Sequence, residues 1–284
     1  VGSTSAQRTR LTAAREGFGL VGVVLAAALP ALLASDLGEG IRRLSWVLPP
    51  LLLIAAATAF SRVGAGQPVQ APSRPLLPRL RQVMNDSVFR RLLGVFVANG
   101  IAAALPATLF LFFVADVLQL ERASGPLLAL YFLAGAASLP LWVNLSARFG
   151  RVHAWLGAMG LSIIAFAGAS LLGSGDLWPF AAICVASGLA LGADLALPAA
   201  IAADLGERQG QAGACFGVWN FVAKLNLALA AGLALPLLGQ LDYVPGGTGG
   251  LPALTFTYAL LPLAFKALAA GLLWRWRHSL ELSS

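Results

Sequence analysis

Long apolar runs separated by short polar segments repeat along the whole chain. A helix that crosses a hydrocarbon core of about 30 Å needs about 20 mostly apolar residues. Eight runs approach or exceed that length, and they predict spans at Phe18–Ala34, Leu44–Phe60, Phe89–Ala115, Leu127–Leu145, Ala154–Leu172, Trp178–Ala203, Ala214–Leu238 and Leu254–Trp274. Lipid offers the backbone no hydrogen-bonding partner, and the runs lack the alternation of barrel strands. The pattern therefore predicts an all-α integral membrane protein.

The longest connection between predicted spans runs from Ser61 to about Val88 and is rich in proline and arginine. This composition favours an extended linker. It leaves two spans before it and six after it, and many membrane proteins are built from two six-span halves. We therefore predict that residues 1–60 are the last two helices of an N-terminal half-bundle, that residues 61–88 are a cytoplasmic central linker, and that residues 89–284 are a complete six-helix C-terminal half-bundle with a short cytoplasmic tail. The chain begins at Val1 without Met, so we expect about four helices to precede it.

Composition agrees with a lipid environment. The chain is 58% hydrophobic and 11% charged, with a mean hydropathy of +0.81, whereas soluble domains are about 25% charged. A soluble fold of this size would need far more polar side chains to cover its surface.

The net charge of +7 would suggest a nucleic-acid partner if the basic residues were placed without regard to the spans. Fourteen of the nineteen basic residues instead fall in segments on one side of the predicted membrane. They are Arg8, Arg10, Arg15, Arg62, Arg74, Arg79, Arg81, Arg90, Arg91, Arg148, Arg151, Arg208, Arg275 and Arg277. The opposite side holds only Arg42, Arg43 and Arg122. This positive-inside pattern predicts an inner (plasma) membrane protein with both ends of this chain in the cytoplasm, and it needs no nucleic acid to explain it.

Three charged side chains, Asp194, Lys224 and Lys266, lie near the middle of predicted spans. Each costs at least about 2.5–3.5 kcal/mol near the bilayer centre, so each needs a partner or a function. Lys224 lies about 15 Å into its span, and the other two lie at similar depth. One interpretation is a structural ion pair between Asp194 and either lysine, or snorkelling of Lys266 to the interface. The other is that Lys224 faces a polar cavity and binds a solute or responds to a coupling ion.

Polar and aromatic residues support the cavity interpretation. Asn220 precedes Lys224 by one helical turn and lies on the same face. Trp219 lies on a neighbouring face, where it either offers an aromatic platform to a ring-shaped solute or packs in the core. Asn99, about ten residues into the third span, would add a hydrogen bond from another helix. Arg15 stands at the cytoplasmic mouth of the first span, as a topology anchor or as a functional residue.

The sequence contains no arrangement typical of an enzyme. It has no Ser/His/Asp set, no zinc-protease motif and no glycine-rich phosphate loop. The two histidines and two cysteines lack ligand-spaced partners, so we predict neither a metal site nor a cofactor. Gly188-Leu189-Ala190-Leu191-Gly192 lies inside a span with no strand before it, and we expect it to serve helix packing.

Several short segments share the pattern of a known family. They are Gly217-Val218-x-x-Phe221-Val222-x-Lys224 followed by Tyr243-Val244-Pro245, Ala203-Asp204-Leu205-Gly206-Glu207, Arg8-Thr9-Arg10-Leu11-(x)3-Arg15, and the loop Ala147-Arg148-Phe149-Gly150-Arg151. Together they resemble the glycoside–pentoside–hexuronide cation symporters of the major facilitator superfamily, the melibiose-carrier-like transporters. The resemblance covers nearly the whole chain and maps it onto helices five to twelve of the family. It implies a major facilitator superfamily helical bundle in which this chain supplies about eight of an expected twelve transmembrane helices.

The resemblance also implies roles for individual residues. Arg15 matches an arginine that contacts sugar, and Lys224 matches a lysine of helix eleven near the sugar and cation sites. Asn220 and Trp219 fall where the family has sugar-facing polar residues, and the Trp departs from that pattern, which argues against a melibiose-like sugar. The coupling cation of the family, sodium or a proton, is bound mainly by carboxylates on helices two and four, which precede this chain.

Three functions follow as hypotheses. The first is cation-coupled symport of a sugar or glycoside-like solute by alternating access, in a protein that needs its preceding helices to transport. The second is a major facilitator exporter of amphipathic compounds or lipid, and the third is a non-transporting membrane scaffold or sensor in which the three mid-span charges pair with one another. We expect the partners to be a small-molecule solute, the lipid bilayer and the preceding helices of the same protein, and we expect a monomer.

Overall fold

The computed structural model describes residues 5–33, 37–62, 75–247 and 249–281, and these residues are almost entirely helical. We number the α-helices in chain order. They are α1 Ser5–Leu33, α2 Leu37–Arg62, α3 Leu76–Asn85, α4 Ser87–Phe112, α5 Ser124–Phe149, α6 Arg151–Ala169, α7 Leu177–Arg208, α8 Ala212–Gln240, α9 Leu251–Thr255 and α10 Leu261–Glu281. Two π-helical segments extend them: Phe113–Val117 continues α4, and Phe256–Leu260 joins α9 to α10.

Within the described residues, seven continuous helices are long and apolar enough to cross a membrane. They are Gly38–Ser61, Ser87–Val117, Glu121–Phe149, Arg151–Ala169, Leu177–Arg208, Ala212–Gln240 and Leu251–Glu281. These seven confirm the predicted all-α membrane fold. The eighth predicted span, Phe18–Ala34, falls on α1, which is not among the seven, and its last residue lies outside the described residues.

The predicted linker, residues 61–88, is not extended throughout. Residues 63–74 lie outside the described residues, but α3 occupies its second half. The prediction of an extended chain was wrong here because Pro75 and Pro78 fall at the start of α3, where a helix tolerates proline. Val83 is fully buried among residues of the six-helix bundle, with Leu80 packed beside it. Docking of this apolar face stabilises a helix that would be marginal alone.

Glycines allow a close approach between α5 and α7. A Cβ atom on Gly188 would lie 2.3 Å from the carbonyl oxygen of Tyr131, and one on Gly192 would lie 2.1 Å from Oγ of Ser138. Only glycine fits both positions, so the segment Gly188–Gly192 packs helices as its sequence context predicts.

A buried ion pair fixes one end of the bundle. Nη1 of Arg151, at the start of α6, donates to Oδ2 of Asp204 near the end of α7 at 2.6 Å. Nε of the same guanidinium donates to Oγ1 of Thr9 on α1 at 2.9 Å. The side chains of Arg151 and Asp204 are 5% and 3% exposed. One arginine therefore joins three helices, and each helix contributes through one of the segments that carry the family resemblance.

Candidate functional site

A cavity of about 460 Å³ lies inside the bundle, lined by α4 to α8, by the π-helical segment Phe256–Leu260 and by α10. Its size is typical of sites for small organic molecules. The wall is mainly apolar and contains seven aromatic side chains: Phe96, Phe110, Tyr131, Phe132, Phe166, Phe180 and Tyr258. The polar and charged groups in the wall are fewer, and they are Ser162, Cys184, Ser187, Asp194, Asn226 and Lys266. Such a mixture of aromatic surface and a few polar groups can hold an amphipathic molecule in one orientation.

An ion pair between Asp194 on α7 and Lys266 on α10 forms part of this wall. Nζ of Lys266 donates to Oδ2 of Asp194, and Nε1 of Trp155 on α6 donates to Oδ1 at 2.8 Å. The side chains of Lys266 and Asp194 are 4% and 9% exposed, and Trp155 is fully buried. The two charges satisfy each other in a low-dielectric site, where either charge alone would be strongly unfavourable.

The π-helical segment before α10 contributes Tyr258 to the cavity wall. Its ring stacks on Phe113 with centroids 4.0 Å apart, and it meets Phe166 edge-on at 6.2 Å. A π-helical turn inserts one residue into the helical register and occurs frequently at functional sites. This register shift sets the positions of Tyr258 and of Lys266 relative to each other.

Asn226 on α8 closes one side of the cavity against α4. Its Nδ2 donates to the carbonyl oxygen of Phe96 at 3.2 Å, while its Oδ1 has no hydrogen-bond partner among the described residues. The side chain lies directly over Gly100, where a Cβ atom would be 2.0 Å from Nδ2. Gly100 therefore makes room for the amide.

Of the residues predicted from the sequence, Asp194 lines the cavity. The predicted alternatives for its partner were Lys224 and Lys266, and the partner is Lys266. Lys224 and Asn220 lie together on an exposed face of α8, one turn apart. Lys224 forms no ion pair with any described residue. Trp219 is buried on another face of α8 and stacks on Phe96, with ring centroids 3.7 Å apart.

Asn99 and Arg15 lie apart from the cavity. Asn99 is 2% exposed on α4, and its Oδ1 has no hydrogen-bond partner among the described residues. Arg15 is exposed on α1 and forms an ion pair with the adjacent Glu16. Of the residues predicted to bind the solute, only Asp194 is therefore among the described residues that line the cavity.

Sequence reasoning missed several residues of the cavity wall, among them Tyr131, Tyr258 and Asn226. It also missed Trp155, which donates to Asp194 from behind the wall. Asn226 lies two residues after Lys224, and a buried amide in an apolar span is a signal that could have been used. The aromatic residues carry no such signal, because phenylalanine and tyrosine are ordinary in apolar spans.

A family model described as MFS/sugar transport protein matches residues 1–279. No curated protein sequence matches the chain.

Proposed function

The chain belongs to the MFS/sugar transport protein family and is a multi-pass membrane transporter, and we propose that it moves a sugar or glycoside-like solute by cation-coupled symport. The observation that supports this proposal best is the cavity within the bundle, which has a charged pair in its wall. Ionisable residues inside a membrane bundle mark solute and ion pathways. Aromatic rings beside hydroxyl and amide groups suit a sugar ring, which has apolar faces and polar edges.

We place this transporter among the melibiose-carrier-like symporters, with alternating access as its mechanism. In this proposal Lys224 and Asn220 line a second polar surface on the exposed face of α8, and Trp219 packs on the opposite side of that helix. Asn99 on α4 and Arg15 on α1 supply further polar groups to the solute pathway. The coupling cation is sodium or a proton. The inner-membrane location, with both ends of the chain cytoplasmic, and the monomeric state belong to the same proposal.

Uptake measurements test this function. The full-length protein, with the helices expected before Val1, is reconstituted into vesicles. A sodium or proton gradient is imposed across the vesicle membrane, and the accumulation of a panel of labelled sugars and aryl glycosides is followed. We expect uptake that depends on one of the two gradients, and we expect Lys224→Ala to reduce it strongly at unchanged expression. Uptake equal to that of the wild-type protein in Lys224→Ala would remove the role proposed for this lysine. Absence of gradient-driven uptake for every solute would overturn symport.

A second candidate function, export of amphipathic compounds or lipid, is favoured by the mainly apolar cavity wall. Saturable binding of sugars to the purified protein separates the two, because an exporter of apolar cargo has no such binding.

The scaffold hypothesis has less support. It requires Lys224 to join the other mid-span charges and requires no cavity, whereas Lys224 lies on an exposed face and the cavity exists.

A further inference from the structure

We propose that a recess between α4 and α10, at one end of the bundle, binds the headgroup phosphate of an anionic phospholipid. The proposed function places this end of the bundle in the cytoplasm, so the lipid would come from the inner leaflet. The inference goes beyond transport of a solute, because the recess shares no lining residue with the cavity inside the bundle.

The recess has a volume of about 390 Å³ and carries positive charge from two helices. It is lined by Arg91 from α4 and by Arg275, Trp276, His278 and Ser279 from α10. Arginine stays charged at every pH that a protein meets, and its planar fork of N–H donors matches the oxygen atoms of a phosphate. No acidic residue is among the described residues that line the recess. The recess is therefore suited to an anion.

The two arginines of the recess differ from their neighbours in hydrogen bonding. Arg91 and Arg275 form no hydrogen bond or ion pair with any described residue. Nη1 of Arg90 donates to a backbone carbonyl oxygen of α3 at 3.2 Å. Nη1 of Arg277 donates to the carbonyl oxygen of Trp274 at 2.9 Å, and its guanidinium lies 4.1 Å from the centroid of that ring. Only the arginines of the recess therefore keep all their donors available to a ligand.

The exposed face of α10 shows that the recess opens toward lipid headgroups. Ala264, Leu268, Gly271, Arg275 and His278 are all exposed and follow one another at spacings of three or four residues. Residues at this spacing share one face of a helix. The first three are apolar and suit contact with hydrocarbon, whereas the last two are basic and come directly after the apolar run. The change from apolar to basic marks the level of the headgroups on this face.

Trp276 holds the two helices together beside the arginines. A Cβ atom on Gly94 of α4 would lie 3.6 Å from Cζ3 of Trp276, so the indole packs directly over this glycine. Gly94 follows Arg91 by three residues and lies on the same face of α4. Tryptophan is enriched at the boundary between a membrane and water. This contact fixes the separation of Arg91 and Arg275 at that boundary.

The chemistry of the recess favours a headgroup with net negative charge. A phosphodiester carries one negative charge on two non-bridging oxygen atoms, and hydrogen bonds from guanidinium groups to such oxygens are strong. A zwitterionic headgroup adds an ammonium, for which the described lining offers no carboxylate. Basic pockets between helices on the cytoplasmic side of a membrane bind anionic headgroups. A free phosphate offers the same oxygens, but it lacks the acyl chains that would lie along the apolar face of α10.

Native mass spectrometry of the full-length protein in detergent micelles tests the proposal. Dioleoyl phosphatidylglycerol and dioleoyl phosphatidylcholine serve as probes, because they share their acyl chains and their phosphate and differ in net charge. We expect one molecule of the phosphatidylglycerol to bind about tenfold more tightly than the phosphatidylcholine. Millimolar inorganic phosphate is added as a competitor, and we expect it not to displace the bound lipid.

Four variants locate the site. Arg91→Gln and Arg275→Gln should each lower the affinity for phosphatidylglycerol about fivefold or more and leave the affinity for phosphatidylcholine unchanged. Arg90→Gln and Arg277→Gln are the matched controls, since each removes the same charge from the same helix within two residues of the tested arginine. Both controls should keep an affinity near that of the wild-type protein, because their arginines are used within the protein.

Each other result would overturn a part of the proposal. Equal losses of affinity in all four variants would overturn the recess as the site, because they would report only the total charge of the surface. Equal binding of the two lipids would overturn the selection for an anionic headgroup. Displacement of the lipid by inorganic phosphate would overturn the lipid as the ligand and indicate a free-phosphate site. None of these results depends on uptake of a sugar, so they are independent of the test of the proposed function.

Discussion

Lys266 and Lys224 carry the same charge at similar depth in the membrane, yet their surroundings differ. Lys266 is buried and paired with Asp194, whereas Lys224 lies on an exposed face of α8. Removal of one partner from a buried ion pair leaves the other charge uncompensated, which costs about 3–5 kcal/mol. In the proposed function the exposed face of α8 meets water rather than lipid, and a charge that water reaches has little effect on stability.

Replacement of the two lysines by methionine should therefore give different stabilities. We expect Lys266→Met to lower the free energy of unfolding by about 3–5 kcal/mol and Lys224→Met to change it by about 0.5 kcal/mol or less. Chemical unfolding in detergent micelles, followed by helical circular dichroism, measures both. Asp194→Leu combined with Lys266→Met should recover most of the loss. Equal destabilisation by the two single variants would contradict the burial difference.

Gly100 on α4 and Asn226 on α8 form a second close contact, which one added carbon atom would disrupt. A Cβ atom on Gly100 would lie 2.0 Å from Nδ2 and 2.8 Å from Cγ of Asn226, so Gly100→Ala must displace the amide and break its bond to Phe96. We expect a loss of about 1–3 kcal/mol in unfolding free energy. Gly232→Ala on α8 is the control. No atom lies within 4 Å of its added Cβ, so it should be neutral or stabilise by up to about 1 kcal/mol. Equal effects of the two substitutions would show that α4 and α8 do not meet closely at Gly100.

At the residue scale, the sequence identified the costly charges but not their partners. The depth of a residue in the membrane follows from its position along an apolar run, and this depth identified Asp194, Lys224 and Lys266 as unusual charges. The partner of Asp194 depends on how each helix is rotated about its own axis. That rotation is set by packing, for example by the glycines that join α5 to α7, and the π-helical segment before α10 changes it again.

Among the elements, α3 differs most from its sequence prediction. Its prolines suggested an extended chain, but they occupy the start of the helix, and the apolar face beyond them is buried. Nε of Arg79 donates to Oε1 of Gln211 at 2.8 Å, and Nε2 of Gln209 donates to Oδ2 of Asp86 at 2.8 Å. These bonds link α3 to the connection between α7 and α8.

A charge at Val83 should release α3 from the bundle. Val83 is fully buried, whereas Leu77 on the same helix is 78% exposed. A carboxylate at position 83 would be buried in this apolar cluster, so burial of Val83→Asp is strongly unfavourable. We expect trypsin to cleave Val83→Asp after Arg79 or Arg81 at least about tenfold faster than the wild-type protein. Leu77→Asp should leave the cleavage rate near that of wild type, and fast cleavage in both variants would contradict the docking of α3.

Across the whole molecule, the order and lengths of the helices were predictable and their assembly was not. The lengths of the apolar runs correctly predicted seven spans, because the thickness of the bilayer sets the length of a helix that crosses it. The cavity depends on contacts among residues far apart in the chain, such as Asp194 with Lys266, and run length says nothing about these. The expectation that further helices precede Val1 stays a prediction.

Arg151 joins α1 to the six-helix bundle through Thr9, and this bond can be used to test how α1 is held on the bundle. Thr9→Val keeps the side-chain shape and removes the acceptor of a bond from a buried guanidinium, a bond worth about 1.5–3 kcal/mol. We expect α1 to open more often while the six-helix bundle keeps its stability. Amide hydrogen exchange should accelerate in α1 by about 10-fold or more and remain unchanged in α5 to α7. Thr58→Val is the matched control, since that hydroxyl is exposed and donates only within α2, to the carbonyl oxygens of Ile54 and Ala55. Equal acceleration of exchange in all helices would show that α1 unfolds with the bundle as one cooperative unit. Acceleration in none of them would show that the Thr9 contact does not hold α1 in place.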